Sequence, residues 1–114
     1  FTVKKPVKNE SDCIEHNMQV SNPEEIAPIM KMFNYLPGVT VKKRRQTTKY
    51  KDYTITLDEV ERLGNFIEIE RVVEDGDGEK MQEEMFIFAK ETFDLDRDNY
   101  VMKGYDIMMH YLEN

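Results

Sequence analysis

The sequence predicts an α+β fold built on an antiparallel sheet, and three observations lead there. Apolar and polar residues alternate with a period of two through much of residues 1–73, interrupted by one helix. From residue 79 onward the apolar positions recur at helical spacing instead. Third, residues 42–70, KKRRQTTKYKDYTITLDEVERLGNFIEIE, place charges at every second position of apparent strands. One face of a strand is normally spent on a core, so the charged face is either plain solvent or the lining of a site.

In chain order, residues 1–5 (FTVKK) form a short strand stopped by Pro6, and residues 7–12 are polar loop. Residues 13–20 alternate, with Ile14, His16, Met18 and Val20 opposed to Cys13, Glu15, Asn17 and Gln19, which predicts a second strand. A helix follows, with Asn22 as N-cap, Pro23 in the first position and Glu25 placed to complete a capping box. Its apolar stripe is Ile26, Ile29, Met30 and Phe33, and Leu36-Pro37-Gly38 ends it.

Residues 39–50 resume strand character, and Lys51-Asp52 makes the hairpin turn into residues 53–57. There Tyr53, Ile55 and Leu57 share one face, while Thr54, Thr56 and Asp58 share the other. After a corner at Leu63-Gly64, residues 65–73 oppose Ile67 and Ile69 to Phe66, Glu68 and Glu70. If these two strands pair about the corner, Asp58 joins the two glutamates on one polar face. Residues 75–78 form a turn, and Met81, Met85, Phe88 and Ala89 mark an amphipathic helix over residues 79–93. A last helix over residues 99–111 presents Val101, Tyr105, Met108, Met109 and Leu112.

A chain of 114 residues suits a single domain with one modest core. One cysteine, Cys13, supports neither an internal disulfide framework nor a structural zinc site. No apolar run approaches the roughly 20 residues of a membrane span, so the expectation is a cytoplasmic protein without a membrane partner. The net charge of −7 argues against nucleic acid as a partner. Within this acidic chain, Lys42, Lys43, Arg44, Arg45, Lys49 and Lys51 make a local basic patch that suits a small anionic ligand better than a polymer.

The basic strand is open to two readings. It is a solvated edge strand, where lysines discourage edge-to-edge pairing, or one pair of its cations faces a cavity as an anion clamp. Asp58, Glu68 and Glu70 are likewise the outward face of a half-exposed sheet, or carboxylates that hold Mg²⁺ or Mn²⁺. Pattern alone leans to the solvated strand for the cations, but cations and metal-binding carboxylates on adjacent strands are what a triphosphate site requires, which tips the carboxylates a little toward the second reading. The run Asp94-Leu-Asp96-Arg-Asp98 starts like a calcium loop but has Tyr105 where the twelfth-position glutamate belongs, and the run from Asp75 fails in the same way at Phe86. His16, His110 and Cys13 have no partners at catalytic or metal spacing.

Val41-Lys-Lys43-Arg-Arg45, Ile55-Thr-Leu57-Asp58-Glu-Val60 and Leu63-Gly-Asn-Phe66-Ile-Glu68-Ile-Glu70 together resemble the CYTH superfamily, which includes class IV adenylyl cyclases and thiamine triphosphatases. The run LDEVERLGNFIEIE looks more like the cyclase-type branch. Phe1-Thr-Val-Lys4 resembles a family strand ending in lysine before Gly-Pro, with Lys5 in the glycine's place, and Tyr105-Asp-Ile-Met-Met resembles the Ser-Tyr-led C-terminal helix, with Gly104 for the serine. The resemblance implies an antiparallel β tunnel that binds a triphosphate with Mg²⁺ or Mn²⁺. Lys4, Lys43 and Arg45 would contact phosphate, Glu68 would bind metal with Glu70 assisting, and Asp58 would position the cations or touch the substrate.

The family's opening Glu-x-Glu-x-Lys strand is not in this sequence, and Cys13-Ile-Glu15 stands where Arg-x-Glu is frequent. Together with the strand-like start at Phe1, this leads to the expectation that residues 1–114 are a single CYTH-like domain that is the C-terminal part of a longer one, a partial barrel with flanking helices. A second copy or a partner chain completing the barrel is the other reading. The implied function is cyclisation of ATP to cyclic AMP or hydrolysis of a triphosphate, with Lys43, Arg45 and Asp58 at the reacting phosphates. The alternative is a non-catalytic module that binds triphosphate or polyphosphate, or accepts a strand from another protein.

Overall fold

The computed structural model describes residues 1–8, 12–74 and 76–114. The fold is α+β, with two antiparallel sheets and three α-helices among the described residues. Among the described residues neither sheet closes on itself, in keeping with a partial barrel with flanking helices. Parts of the loop expected at 7–12 and of the turn at 75–78 lie outside the described residues. No helix among the described residues is long and apolar enough to cross a membrane.

The chain divides into two compact units, Phe1–Thr40 and Val41–Asn114. In the first, β1 (Thr2–Pro6) pairs with β2 (Cys13–Asn17) from Thr2↔Asn17 to Pro6↔Cys13. The expected second strand ran to residue 20. It ends at Asn17, next to Met18, whose backbone exchanges hydrogen bonds of 2.8 and 2.9 Å with Phe1. Next, Pro23–Glu25 form a 3-10 turn and α1 spans Ile26–Met32. The capping box expected from Asn22 and Glu25 does not form, and Asn22 makes no side-chain cap bond. Pro28 explains the late start of the α-helix. In a helix beginning at Pro23 it would interrupt the backbone ladder, whereas in α1 it sits in the first turn, where no N–H bond is required. The helix also stops before Leu36. Asn34 adopts φ 67°, and bonds from Asn34 N to Lys31 O and Tyr35 N to Met30 O close a Schellman motif.

In the second unit β3 (Lys43–Tyr50), β4 (Tyr53–Val60) and β5 (Gly64–Glu70) form a meander in that order. Lys51 takes φ 53° in the two-residue turn, so Tyr50 pairs with Tyr53 and the register runs unbroken to Lys43↔Val60. Residues 39–42, expected to continue β3, are not strand; the last backbone bond of this pairing runs from Glu61 N to Lys42 O at 2.9 Å. At that corner Arg62 (φ 73°) and Gly64 (φ 110°) make the reversal, and β5 then runs antiparallel from Gly64↔Val60 to Glu70↔Thr54. Glycine tolerates such a φ where a side chain would be strained.

This register sorts the side chains. Lys43, Arg45, Thr47, Thr56, Asp58, Phe66, Glu68 and Glu70 share one face, and Tyr50, Tyr53, Ile55, Leu57, Ile67 and Ile69 share the other. Two helices cover opposite faces at opposite ends. α2 (Gly78–Phe93) stacks Phe88 on Tyr53, with ring centroids 4.3 Å apart, and Tyr53 and Ile55 on this face are buried. α3 (Tyr105–Glu113) reaches the polar face through Tyr105, whose ring packs on Phe66. Leu57, expected beneath the helices, is 52% exposed because α2 covers only the Tyr53 end of its face. The last helix begins at Tyr105 and not at residue 99: Asp96 and Asn99 close a capping box around the 3-10 turn Arg97–Asn99, and Gly104 starts the helix anew.

Candidate functional site: a buried aspartate and its cations

Asp58 lies toward the C-terminal end of the central strand β4 and is 2% exposed. A carboxylate this far from water needs partners for both oxygens. Directly across the ladder stands Arg45. Its Nε donates to Asp58 Oδ1 at 2.7 Å and its Nη2 to Oδ2 at 2.6 Å, a two-pronged contact with the geometry that makes such pairs strong. Lys43, two residues earlier on the same face, brings its Nζ to 3.7 Å from Oδ2. The Tyr105 hydroxyl donates to the same oxygen at 2.9 Å.

These contacts set the charge states. The Arg45 fork, with the Tyr105 hydroxyl behind it, holds the Asp58 carboxyl below the usual carboxylate range against the opposing effect of burial. Asp58 in turn fixes Arg45 as a permanent cation. Burial, with the bonded Asp58 charge, pushes the Tyr105 phenol far above its ordinary range, so it stays a donor.

Along the same face, Arg45 Nη2 also donates to Glu68 Oε2 at 3.1 Å. Glu68 stands opposite Thr56, which shares a 3.2 Å hydroxyl contact with Thr47 on the far side. Glu70 lies two residues on, opposite Thr54, exposed and without an ion pair among the described residues. Successive same-face positions on a strand are about 7 Å apart, close enough for both glutamates to approach one ligand.

The structure therefore brings together Lys43, Arg45, Asp58 and Glu68, with Glu70 on the same face. Lys4 belongs to the other unit, where its Nζ lies 3.4 Å from Glu15 Oε2. Arg44 projects from the opposite, exposed face. Sequence reasoning missed Tyr105 as a member of the site. It lies 47 positions from Asp58, and helical periodicity marks it only as one of an apolar set. Among the described residues no three His, Cys, Asp or Glu side chains converge as a metal cage. A groove of about 600 Å³ beside the C-terminal half of α2 contains none of these residues, and its cations are already paired, Lys90 with Asp94 and Asp96, and Arg97 with Glu83.

What this arrangement can do is hold an anion. Asp58 absorbs one side of the Arg45 guanidinium and fixes its plane, and Nη1 has no protein partner among the described residues. A fixed fork with a free end, beside an ammonium group, has the donor geometry to accept an oxyanion.

Comparison with known proteins agrees with the motifs. The sequence profile described as CYTH domain matches residues 1–105. A Methanocaldococcus jannaschii protein named "Putative adenylate cyclase MJ0240" is 28% identical over 92 residues, which cover 80% of this chain and 52% of the relative. The chain thus spans about half the length of that curated relative. No solved structure matches it significantly. With the profile extending over nearly the whole chain, and with the Lys43/Arg45, Asp58 and Glu68/Glu70 alternation on one sheet face, the chain belongs to the CYTH domain family.

Proposed function

We propose that the polar face of β3–β5 binds a nucleoside or organic triphosphate together with Mg²⁺ or Mn²⁺ and supports its turnover. The observation that carries this reading is the Arg45 fork held by a buried Asp58 beside Lys43. Lys43 and Arg45 bind the phosphate chain, and Asp58 keeps both cations aimed. Asp58 itself is fully engaged, so its part is orientation and not proton transfer. Lys4 is proposed as a further phosphate contact.

Glu68 and Glu70 fit a hard divalent cation that takes one or two carboxylates and completes its shell with phosphate oxygens and water. They do not make a dedicated cage, in keeping with the lack of a third acidic partner among the described residues. When bound, the ion would supply further neutralisation of the phosphate oxygens. The name of the Methanocaldococcus relative and the LGNFIEIE run favour ATP cyclisation over hydrolysis. The lone cysteine suits a cytoplasmic setting.

The reading is tested by incubating the full-length protein with ATP, inorganic tripolyphosphate or thiamine triphosphate plus Mg²⁺ or Mn²⁺. Cyclic AMP, pyrophosphate and phosphate are followed. Cyclic AMP with pyrophosphate identifies a cyclase, and phosphate release identifies a triphosphatase. A second reading, a binding module without turnover, rests on the outer edges of β3 and β5, which pair with no strand among the described residues. Tight tripolyphosphate binding without product would support it, and absence of any binding would sink both readings.

A further inference from the structure

Tyr105 touches three members of the polar face and connects them to α3. Its hydroxyl donates to Asp58 Oδ2 at 2.9 Å, Lys43 Nζ stands 5.0 Å from its ring centroid, and Phe66 packs against the ring with centroids 5.0 Å apart. Asp58 Oδ2 is consequently a contested acceptor. Arg45 Nη2 reaches it at 2.6 Å, the Tyr105 hydroxyl at 2.9 Å and Lys43 Nζ at 3.7 Å. A carboxylate oxygen offers about two lone-pair directions, so two of these donors fill it and the third is held off. The hydroxyl takes the second direction, and the Lys43 ammonium rests against the ring face of the same residue.

We propose that Tyr105 is the positioning residue of the triphosphate clamp. Its hydroxyl locks the Asp58 carboxylate in the orientation that aims the Arg45 fork, and its ring keeps Lys43 from collapsing onto Asp58. Lys43 thereby remains directed at the ligand. Tyr105 touches no phosphate itself, because hydroxyl and ring are both committed to protein groups. The hydroxyl's 2.9 Å bond to Asp58 Oδ2 suits a fixed donor. The proposal rests on the polar face being the triphosphate site.

The test uses the full-length protein, inorganic tripolyphosphate as ligand, and the variants Tyr105→Phe and Tyr105→Leu. Calorimetry gives Kd and stoichiometry, thermal unfolding gives Tm, and ¹⁵N–¹H spectra follow the Arg45 Nε–H, which donates to Asp58 Oδ1. For Tyr105→Phe the expected result is a Kd raised about fivefold to twentyfold at unchanged stoichiometry. The Arg45 Nε–H signal should broaden as the fork loosens. Tyr105→Leu, which also frees Lys43, should bind more weakly again. A merely structural role would lower Tm and the binding-competent fraction while leaving Kd of the folded molecules in place, and that result overturns the proposal. So does a Kd change with an unaltered Arg45 signal, or a Tyr105→Phe protein that binds like wild type. In those cases the triphosphate reading stands, whereas a wild-type protein that binds no tripolyphosphate overturns both. If Tyr105→Leu fails to fold, Tyr105→Phe decides.

Discussion

Arg45 and Asp58, directly opposite each other on β3 and β4, are joined by two hydrogen bonds of 2.7 and 2.6 Å, and the carboxylate side chain is wholly shielded from solvent. Removing either partner has a cost that depends on which is left behind. In Asp58→Asn, Arg45 keeps a route to water, but the buried amide faces donors it cannot all accept from. Loss of about 2–4 kcal/mol of folding stability is expected, read as a shifted denaturant midpoint. Arg45→Ala strands the buried carboxylate and should both destabilise the chain and weaken tripolyphosphate binding by about 1.5–3 kcal/mol.

Neighbouring cations on β3 should differ sharply. Lys43 shares the face of Arg45, while Arg44 points the other way. Lys43→Ala is expected to raise the Kd for tripolyphosphate roughly tenfold or more, and Arg44→Ala to change it less than about twofold. Equal small effects in calorimetry would mean that the strand is merely solvated and that no clamp exists.

That contrast was legible in the sequence, because a strand has a fixed period of two and a two-residue turn at Lys51-Asp52 leaves little freedom of register. Asp58, Glu68 and Glu70 were placed together for the same reason. What periodicity could not reveal was which sheet face α3 would approach. Tyr105 belongs to an apolar helical stripe by spacing, yet its hydroxyl serves a buried charge on a strand 47 positions earlier. The helix boundaries at Ile26, Met32 and Tyr105 depended on Pro28, on the left-handed turn at Asn34 and on the Asp96–Asn99 cap. These are single-residue events that a hydrophobic pattern averages over.

The stability of the second unit should depend on pH at both ends of the scale, with opposite signs. Asp58 has its carboxyl held below the ordinary value near 3.8 by Arg45, with Tyr105 and Lys43 assisting. Its contribution is therefore complete above pH about 4 and is lost as pH falls through the lower folded value. Tyr105 is shifted upward from an ordinary value of 10.0 by burial and by the bonded Asp58. Its contribution is complete below pH about 10 and declines as pH rises beyond it, since the unfolded chain ionises first. Denaturation midpoints across pH should show both limbs. Asp58→Asn should flatten the acid limb and Tyr105→Phe the alkaline one.

The apolar face should be separable from the polar one. Phe88 on α2 stacks on Tyr53 at 4.3 Å and on Tyr50 at 5.8 Å, on the side of the sheet away from Arg45. Phe88→Ala should cost about 2–4 kcal/mol of stability. Under native conditions the folded fraction should bind tripolyphosphate with nearly the wild-type Kd, measured by calorimetry corrected for active fraction. A large change in affinity would show that the two faces are energetically coupled.

Glu68 and Glu70 sit two residues apart on one face but carry different burdens, and their variants should therefore part ways. Glu70 has no ion pair among the described residues, so Glu70→Gln removes only the carboxylate proposed to bind metal. Metal-free tripolyphosphate binding should stay the same or tighten slightly, because one repelling charge is gone, while the Mg²⁺ or Mn²⁺ concentration for half-maximal enhancement rises several-fold. Glu68 also accepts a 3.1 Å hydrogen bond from Arg45 Nη2. Glu68→Gln makes the acceptor of that charge-assisted bond neutral as well as weakening the proposed metal site, so it should strengthen metal-free binding more than Glu70→Gln does and depress the metal response further. Calorimetric titrations of each variant with and without the cation would show this difference, and identical behaviour of the two would remove Arg45 from the account of Glu68.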